Sequence, residues 1–201
     1  MIWESPLFVL PFILFALGAL AFAGAAWRRS QTPGSLSFAL LMLCLSVWLL
    51  AEGFEYSASS YSIKNFWAQF AILGIAWIGP LWLMFAVEYA YPDNNLHKQI
   101  GLWPWVIPVI TVLLVFTSEY HPLIWTTSVI DPGSPMLVQE PGFWCWVFTG
   151  YTYLLIIAGG VILVKGISRY PMVRRRQVGA LIVAMILPWF IDIGFIASGK
   201  A

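Results

Sequence analysis

Residues 6–27 read PLFVLPFILFALGALAFAGAAW, with no charged side chain from end to end. About 20 apolar residues cross a bilayer core as a helix, so this stretch predicts a membrane span. Five more stretches of the same kind follow: Leu36–Ser57, Asn65–Tyr91, Gly101–Ser118, Gly142–Val164 and Gln177–Ser198. The whole chain of 201 residues is 61% hydrophobic and 9% charged, with a mean hydropathy of +0.84. Soluble domains carry about 25% charge, and a chain this short cannot hide so much apolar surface from water. The runs are continuous rather than alternating and too long for membrane strands. The expected fold is therefore all-α: a polytopic transmembrane helix bundle with six helices present of a probable seven. Pro11, Pro80, Pro108 and Pro188 fall inside these runs and are candidate kinks, which neighbouring helices and waters can accommodate.

The basic residues orient the bundle. Arg28 and Arg29 follow the first run, Lys98 (beside His97) the third, and Lys165, Arg169, Arg174, Arg175 and Arg176 the fifth. Cytoplasmic loops carry the Lys/Arg excess. Placing these three connections inside puts eight of the ten basic residues there and leaves only Lys64, in the polar connection 57–64, and Lys200 outside. The N-terminus is then outside, and the long connection 119–141, which has acids but no Lys or Arg, is an external cap. Topology alone accounts for the Arg174–Arg176 cluster, with a specific lipid or partner site as the other reading. The start of the chain has Glu4 and no basic residue before the first apolar run, so that run is expected to be retained rather than cleaved. Cys44 and Cys145 read as packing residues, not a disulfide framework. A net charge of +1 gives no basis for a nucleic-acid partner.

No catalytic pattern is present: no Gly-rich phosphate loop, HExxH, GxSxG or CxxC. No cofactor or metal is expected. His97 and His121 fall on opposite sides and cannot share a metal, and no lysine sits mid-helix to anchor a retinal Schiff base. What remains is acidic. Glu52 lies about 24 Å along its run from Leu36, and Asp192 about 22 Å along its run from Gln177, at 1.5 Å per residue. Both therefore reach a similar depth in the outer third. Glu55 follows Glu52 at i+3 on a neighbouring face. Ionisable residues within a span by default face a cavity or a partner. An interfacial role in water is the competing reading for Glu55, an interhelical hydrogen bond for Asp192, and a solvated or capping role for Glu88.

Aromatics crowd the same layer, among them Tyr56, Tyr61, Trp67, Trp125, Phe143, Trp144, Trp146, Tyr151 and Tyr153. An interfacial belt explains most of them. Beside buried acids and His121 they would also wall a pocket for a neutral or cationic amphiphile. The candidate ligand-binding layer is Glu52, Glu55, Tyr56, His121, Trp125, Trp144, Tyr151 and Asp192.

Several stretches carry a family likeness. The third run reads Trp67 … Gly79-Pro80 … Phe85 … Glu88-Tyr89. The fourth ends Thr117-Ser118-Glu119-Tyr120-His121-Pro122-Leu123-Ile124-Trp125, with Ser118 where the family pattern has Asn. Gly142-Phe143-Trp144 and Tyr151-x-Tyr153 open the fifth, and Tyr170 … Arg176-Gln177 leads towards Pro188. In order and spacing the chain resembles the N-terminal seven-transmembrane region of bacterial and archaeal histidine kinases, whose relatives precede diguanylate cyclase and PAS domains. The likeness covers roughly residues 1–199. It implies a sensor (input) domain over 1–201, truncated before a seventh helix, in a prokaryotic plasma membrane, dimeric and fused to a cytoplasmic kinase or cyclase. Catalysis by this chain alone is not expected.

Three functions compete. A sensor would detect an external or membrane-borne cue and pass a helix rearrangement inward. A small proton- or cation-coupled transporter would use Glu52 and Asp192, although residues 1–92 and 101–199 show no convincing inverted repeat. A lipid-modifying enzyme lacks a nucleophile or metal constellation. The sensor reading predicts that the reading frame beyond Ala201 encodes a seventh apolar run and then a kinase or cyclase domain. An immediate stop codon would favour the transporter.

Overall fold

A computed structural model describes residues 9–92, 100–131 and 136–167. Its elements in chain order are α1 (Val9–Trp27), α2 (Ser35–Ser57), α3 (Tyr61–Ile75), α4 (Ile78–Ala90), α5 (Trp103–Phe116), a 3-10 turn (Ser118–Tyr120), β1 (Trp125–Ile130), β2 (Leu137–Pro141) and α6 (Phe143–Ile167). The protein is an all-α membrane bundle with one small hairpin. Four helices among the described residues are long and apolar enough to cross a membrane, α3 and α4 counting as one 30-residue span. The expected fourth span is a shorter helix, α5, of 14 residues, about 21 Å at 1.5 Å per residue. The expected sixth span, Gln177–Ser198 with Asp192 and Pro188, lies outside the described residues. So do His97, Lys98, Arg169, Arg174, Arg175 and Arg176.

The third span divides where its proline dictates. Proline has no N–H, and its ring crowds the carbonyl four residues back. For Pro80 that carbonyl belongs to Ala76, and the helix opens at Ala76–Trp77 before resuming as α4. Pro11 sits harmlessly in the first turn of α1. Pro108 lies inside α5.

Helix α4 is the axis of the bundle. Nine of its thirteen residues are buried, on every face, as expected of a helix that is apolar all round and enclosed by protein. Trp82, Phe85 and Ala86 pack with Leu41 of α2 and Leu163 of α6, while Leu83 and Val87 pack with Leu155 of α6. Helix α1 is the opposite case. It touches α2 and leaves Leu10, Leu14, Phe15, Leu17 and Phe22 exposed, the side chains a lipid-facing helix offers to acyl chains. Cys44 and Cys145 are free thiols.

Two of the glycines that set how closely the helices approach lie in α3 and α6. A Cβ at Gly74 of α3 would stand 2.6 Å from the Trp48 backbone nitrogen and 2.7 Å from the Cys44 carbonyl oxygen of α2. A Cβ at Gly159 of α6 would stand 2.5 Å from Trp82 Nε1. The space at Gly159 lets the Trp82 indole lie on α6 and donate to the Ile156 carbonyl at 3.0 Å. Small residues at helix contacts are how membrane helices gain packing energy, since lipid supplies no hydrophobic drive.

Within the connection 119–141, β1 and β2 pair as the arms of an antiparallel hairpin, a structure not expected from the helical reading. Pairs run from Ile130↔Leu137 to Thr127↔Glu140 and then skip to Trp125↔Pro141. Thr126 is the extra residue of this bulge, and its hydroxyl donates to the Glu140 carbonyl at 3.3 Å. Gly142 N donates to Ile124 O at 2.7 Å and Trp144 N to Leu123 O at 2.8 Å, tying the hairpin base to the start of α6.

Gly74→Ala is expected to destabilise the detergent-solubilised protein by about 1–3 kcal/mol, the usual cost of overpacking. Gly150→Ala, whose new Cβ meets nothing within 4 Å, should be neutral or gain up to about 1 kcal/mol from helix propensity. Thermal unfolding of the two variants measures both.

Candidate functional site

The polar groups converge at the end of the bundle that carries the hairpin. The last turn of α2 leaves carbonyls without intrahelical partners. Ala58 N closes on Phe54 O and Glu55 O at 3.1 and 3.2 Å. Lys64, in the first turn of α3, then donates its ammonium to the Glu55 carbonyl at 3.0 Å. A cation at a helix C-terminus also complements the helix dipole. Lys64 is only 5% exposed. The sequence places it in a polar loop; in the fold it is a buried cap supplied by the next helix.

The Glu55 side chain completes a three-element junction. Glu55 is 4% exposed, so the interfacial position in water gives way to burial. Its Oε1 accepts the Leu137 backbone N–H at 3.0 Å. Leu137 is the first residue of β2 and is itself buried. One residue therefore binds α3 through its main chain and the hairpin through its carboxyl. The Lys64 ammonium and the Glu52 carboxyl both lie within electrostatic range of it. A buried carboxyl is tolerated when its oxygens find hydrogen-bond partners, and the Leu137 amide supplies one.

The other expected site residues are distributed around this junction, not gathered about one cavity. Glu52, one turn back on α2, accepts the Trp48 indole N–H at 2.8 Å. Tyr56 sets its ring 5.9 Å from that of Phe12 on α1. His121 holds the corner after α5: Nδ1 accepts Leu123 N at 3.4 Å, which leaves Nε2 to donate to Thr117 Oγ1 at 3.0 Å. Trp144 Nε1 donates to Thr111 Oγ1 at 2.9 Å, and the Tyr151 hydroxyl donates to the Pro104 carbonyl. Both are bonds from α6 to α5. At the opposite end of the bundle Glu88 accepts the Ser37 hydroxyl at 2.7 Å, and Lys165 lies exposed in the last turn of α6.

Trp125 belongs to a different feature. A cleft of about 380 Å³ opens between the first two turns of α3, the end of α5 and β1. Tyr61, Asn65, Ser118, Glu119 and residues 125–128 line it. Tyr61 and Asn65 flank Lys64 in sequence, so the cleft and the Glu55 junction share one helical turn. Tyr61 and Trp125 read as interfacial aromatics, and Ser118 and Glu119 fall in the family-like stretch 117–125; Asn65 and residues 126–128 carry no periodic or motif signal. The run Thr126–Ile130, rich in β-branched residues and followed by Asp-Pro-Gly-Ser-Pro at 131–135, is a strand-and-turn signal that could have exposed the hairpin, and with it the cleft.

Glu55→Ala should cost about 3 kcal/mol or more, because it strips the Leu137 amide of its acceptor and Lys64 of its nearby opposite charge. Glu55→Gln keeps an acceptor oxygen and should cost about 1 kcal/mol. Melting temperatures of the purified protein in one detergent rank the three forms. Equal melting for Glu55→Ala and the parent chain would remove the junction from the account.

The comparisons with known proteins agree with this architecture. Neither the curated proteins nor the solved structures contain a match to the chain. A family model described as the N-terminal 7TM region of histidine kinase matches residues 11–200, nearly the full length. The chain belongs to the family of N-terminal seven-transmembrane regions of histidine kinases, the membrane sensor domains of those proteins.

Proposed function

We propose that this sensor domain reads its cue at the hairpin end and passes it to the membrane helices through Glu55. The observation that carries the reading is the bond from the Leu137 amide to a buried carboxyl on α2, reinforced by the Lys64 cap from α3. A shift of the hairpin must break, stretch or carry that bond. α2 and α3 are in backbone contact at Gly74, and α2 meets α4 again at Ser37–Glu88. Movement at the hairpin end thus has a packed route along the bundle. A cue acts only by binding two arrangements with different affinity, and a junction of three elements is a place where two arrangements can differ.

The basic residues support a hairpin outside the cell, with the N-terminus outside and Lys165, Arg169, Arg174, Arg175 and Arg176 at the cytoplasmic face of the plasma membrane. Beyond the membrane region, the family supports a fused cytoplasmic kinase. A cyclase output and a homodimer rest on resemblance alone. On this reading Glu52 and Trp48 stiffen the helix below the junction. Trp144 and Tyr151 hold α5 to α6, and His121 fixes the corner leading into the hairpin. Asp192, at the depth of Glu52 by helix counting, is assigned to the same layer.

In the full-length receptor, Glu55→Ala should shift basal autophosphorylation by about fivefold or more, the factor for a coupling of about 1 kcal/mol. Glu55→Gln should stay near the parent level. Unchanged output from Glu55→Ala contradicts the proposal, and so does saturable, pH-coupled flux through the chain in proteoliposomes, which the transporter reading requires.

A further inference from the structure

We infer that the cleft beside the hairpin binds a neutral polyhydroxylated small molecule of the carbohydrate class, seated on Trp125. This deepens the proposed sensor reading by naming the chemistry of a cue. The binding itself, however, is a property of the cleft and is tested without any signalling readout.

The lining decides the class. The cleft contains one carboxylate, Glu119, and no cationic side chain. An anionic ligand would meet an acid with nothing to compensate its own charge, so anions are disfavoured. A purely apolar ligand would strip water from a wall built largely of hydroxyl and amide groups and return no hydrogen bonds, which costs free energy at every group. Hydroxyls on the ligand satisfy both conditions.

The donors and acceptors are already sorted. Gln69 Nε2 lies 3.4 Å from Ser118 Oγ, and Gln139 Nε2 lies 3.4 Å from Ser128 Oγ. Each amide occupies a lone pair of the hydroxyl it meets, leaving that hydroxyl its hydrogen to donate. Of the other lining groups, Glu119 accepts only, and Asn65 does both. A vicinal diol needs this combination, because every hydroxyl donates one hydrogen bond and accepts others. Trp125 supplies the remaining element. The C–H face of a sugar ring is slightly positive and suits the negative face of an indole. The bulge at Thr126 breaks the strict alternation of β1, and residues 125–128 all line the cleft. Bulges re-aim side chains in this way beside functional sites. A volume of about 380 Å³ is within the range of small-molecule sites.

The experiment uses the 201-residue chain in nanodiscs, titrated separately with maltose, glucose and myo-inositol, with choline as a cation probe and acetate as an anion probe. Binding is read by calorimetry and by indole fluorescence. At least one of the three polyols should bind saturably. Thr127→Val and Glu119→Gln, exposed substitutions that leave the hairpin ladder intact, should each weaken that binding about tenfold, and Trp125→Ala should abolish it. Trp103→Ala, on an exposed side chain outside the cleft, should leave it unchanged. Absence of saturable binding by all three polyols to protein with a normal melting transition overturns the proposal. Choline as the sole binder also overturns it, as does polyol binding indifferent to Thr127→Val and Glu119→Gln. None of these results bears on whether Glu55 couples the hairpin to α2, which the receptor's kinase output tests separately.

Discussion

A carboxyl buried at the end of a membrane helix survives only where its charge and its lone pairs find partners. At Glu55 the carboxyl finds the Leu137 amide, and the main chain of the same residue draws a second element onto α2. Its Oε1 takes the first amide of β2, and its main-chain carbonyl takes the ammonium of Lys64 from α3. Each element gains in turn. Lys64 escapes an uncompensated burial, and the hairpin, only two strands wide, gains the support that such a hairpin lacks alone in water. The bulge, the cleft and the corner at His121 are all arranged around a hairpin held in this position.

The rest of the bundle is organised by proximity. α4 is buried all round because α2 and α6 pack on it from different sides. Gly159 gives the Trp82 indole room to reach the α6 backbone, and Gly74 gives the backbone of α2 room against α3. Such contacts have little slack, because protein interiors pack as densely as organic crystals. The opening at Ala76–Trp77, next to Pro80, is the one interruption in the span that joins the junction to the bundle axis.

The fold was legible where bilayer physics acts on single segments. An uncharged run long enough to span can only be a helix in lipid, and the run at 6–27 needed no tertiary information. Pro80 marked the break in the third span for an equally local reason. The site was less legible because it depends on contacts between segments distant in sequence. Helix counting placed Glu55 near Glu52 and near the membrane surface. It could not show that the missing water would be replaced by the amide of Leu137. Lys64 reads as a loop lysine because its capping role exists only once α3 returns beside α2. The hairpin had a local signal in Thr126–Ile130 and the turn residues that follow, but it was overshadowed by the apolar runs on either side. Trp125 was recognisable as an interfacial aromatic; that it shares a cleft with Asn65 and Glu119 follows only from the folded hairpin.

Amide hydrogen exchange of the intact chain in nanodiscs, compared between the parent and Glu55→Ala, tests most directly whether one carboxyl unites the hairpin with the helices. The account predicts that exchange accelerates at residues 137–141, which the carboxyl holds, and stays near the parent rate in the first turn of α3, which the Glu55 main-chain carbonyl still holds. Unchanged protection at residues 137–141 would contradict it.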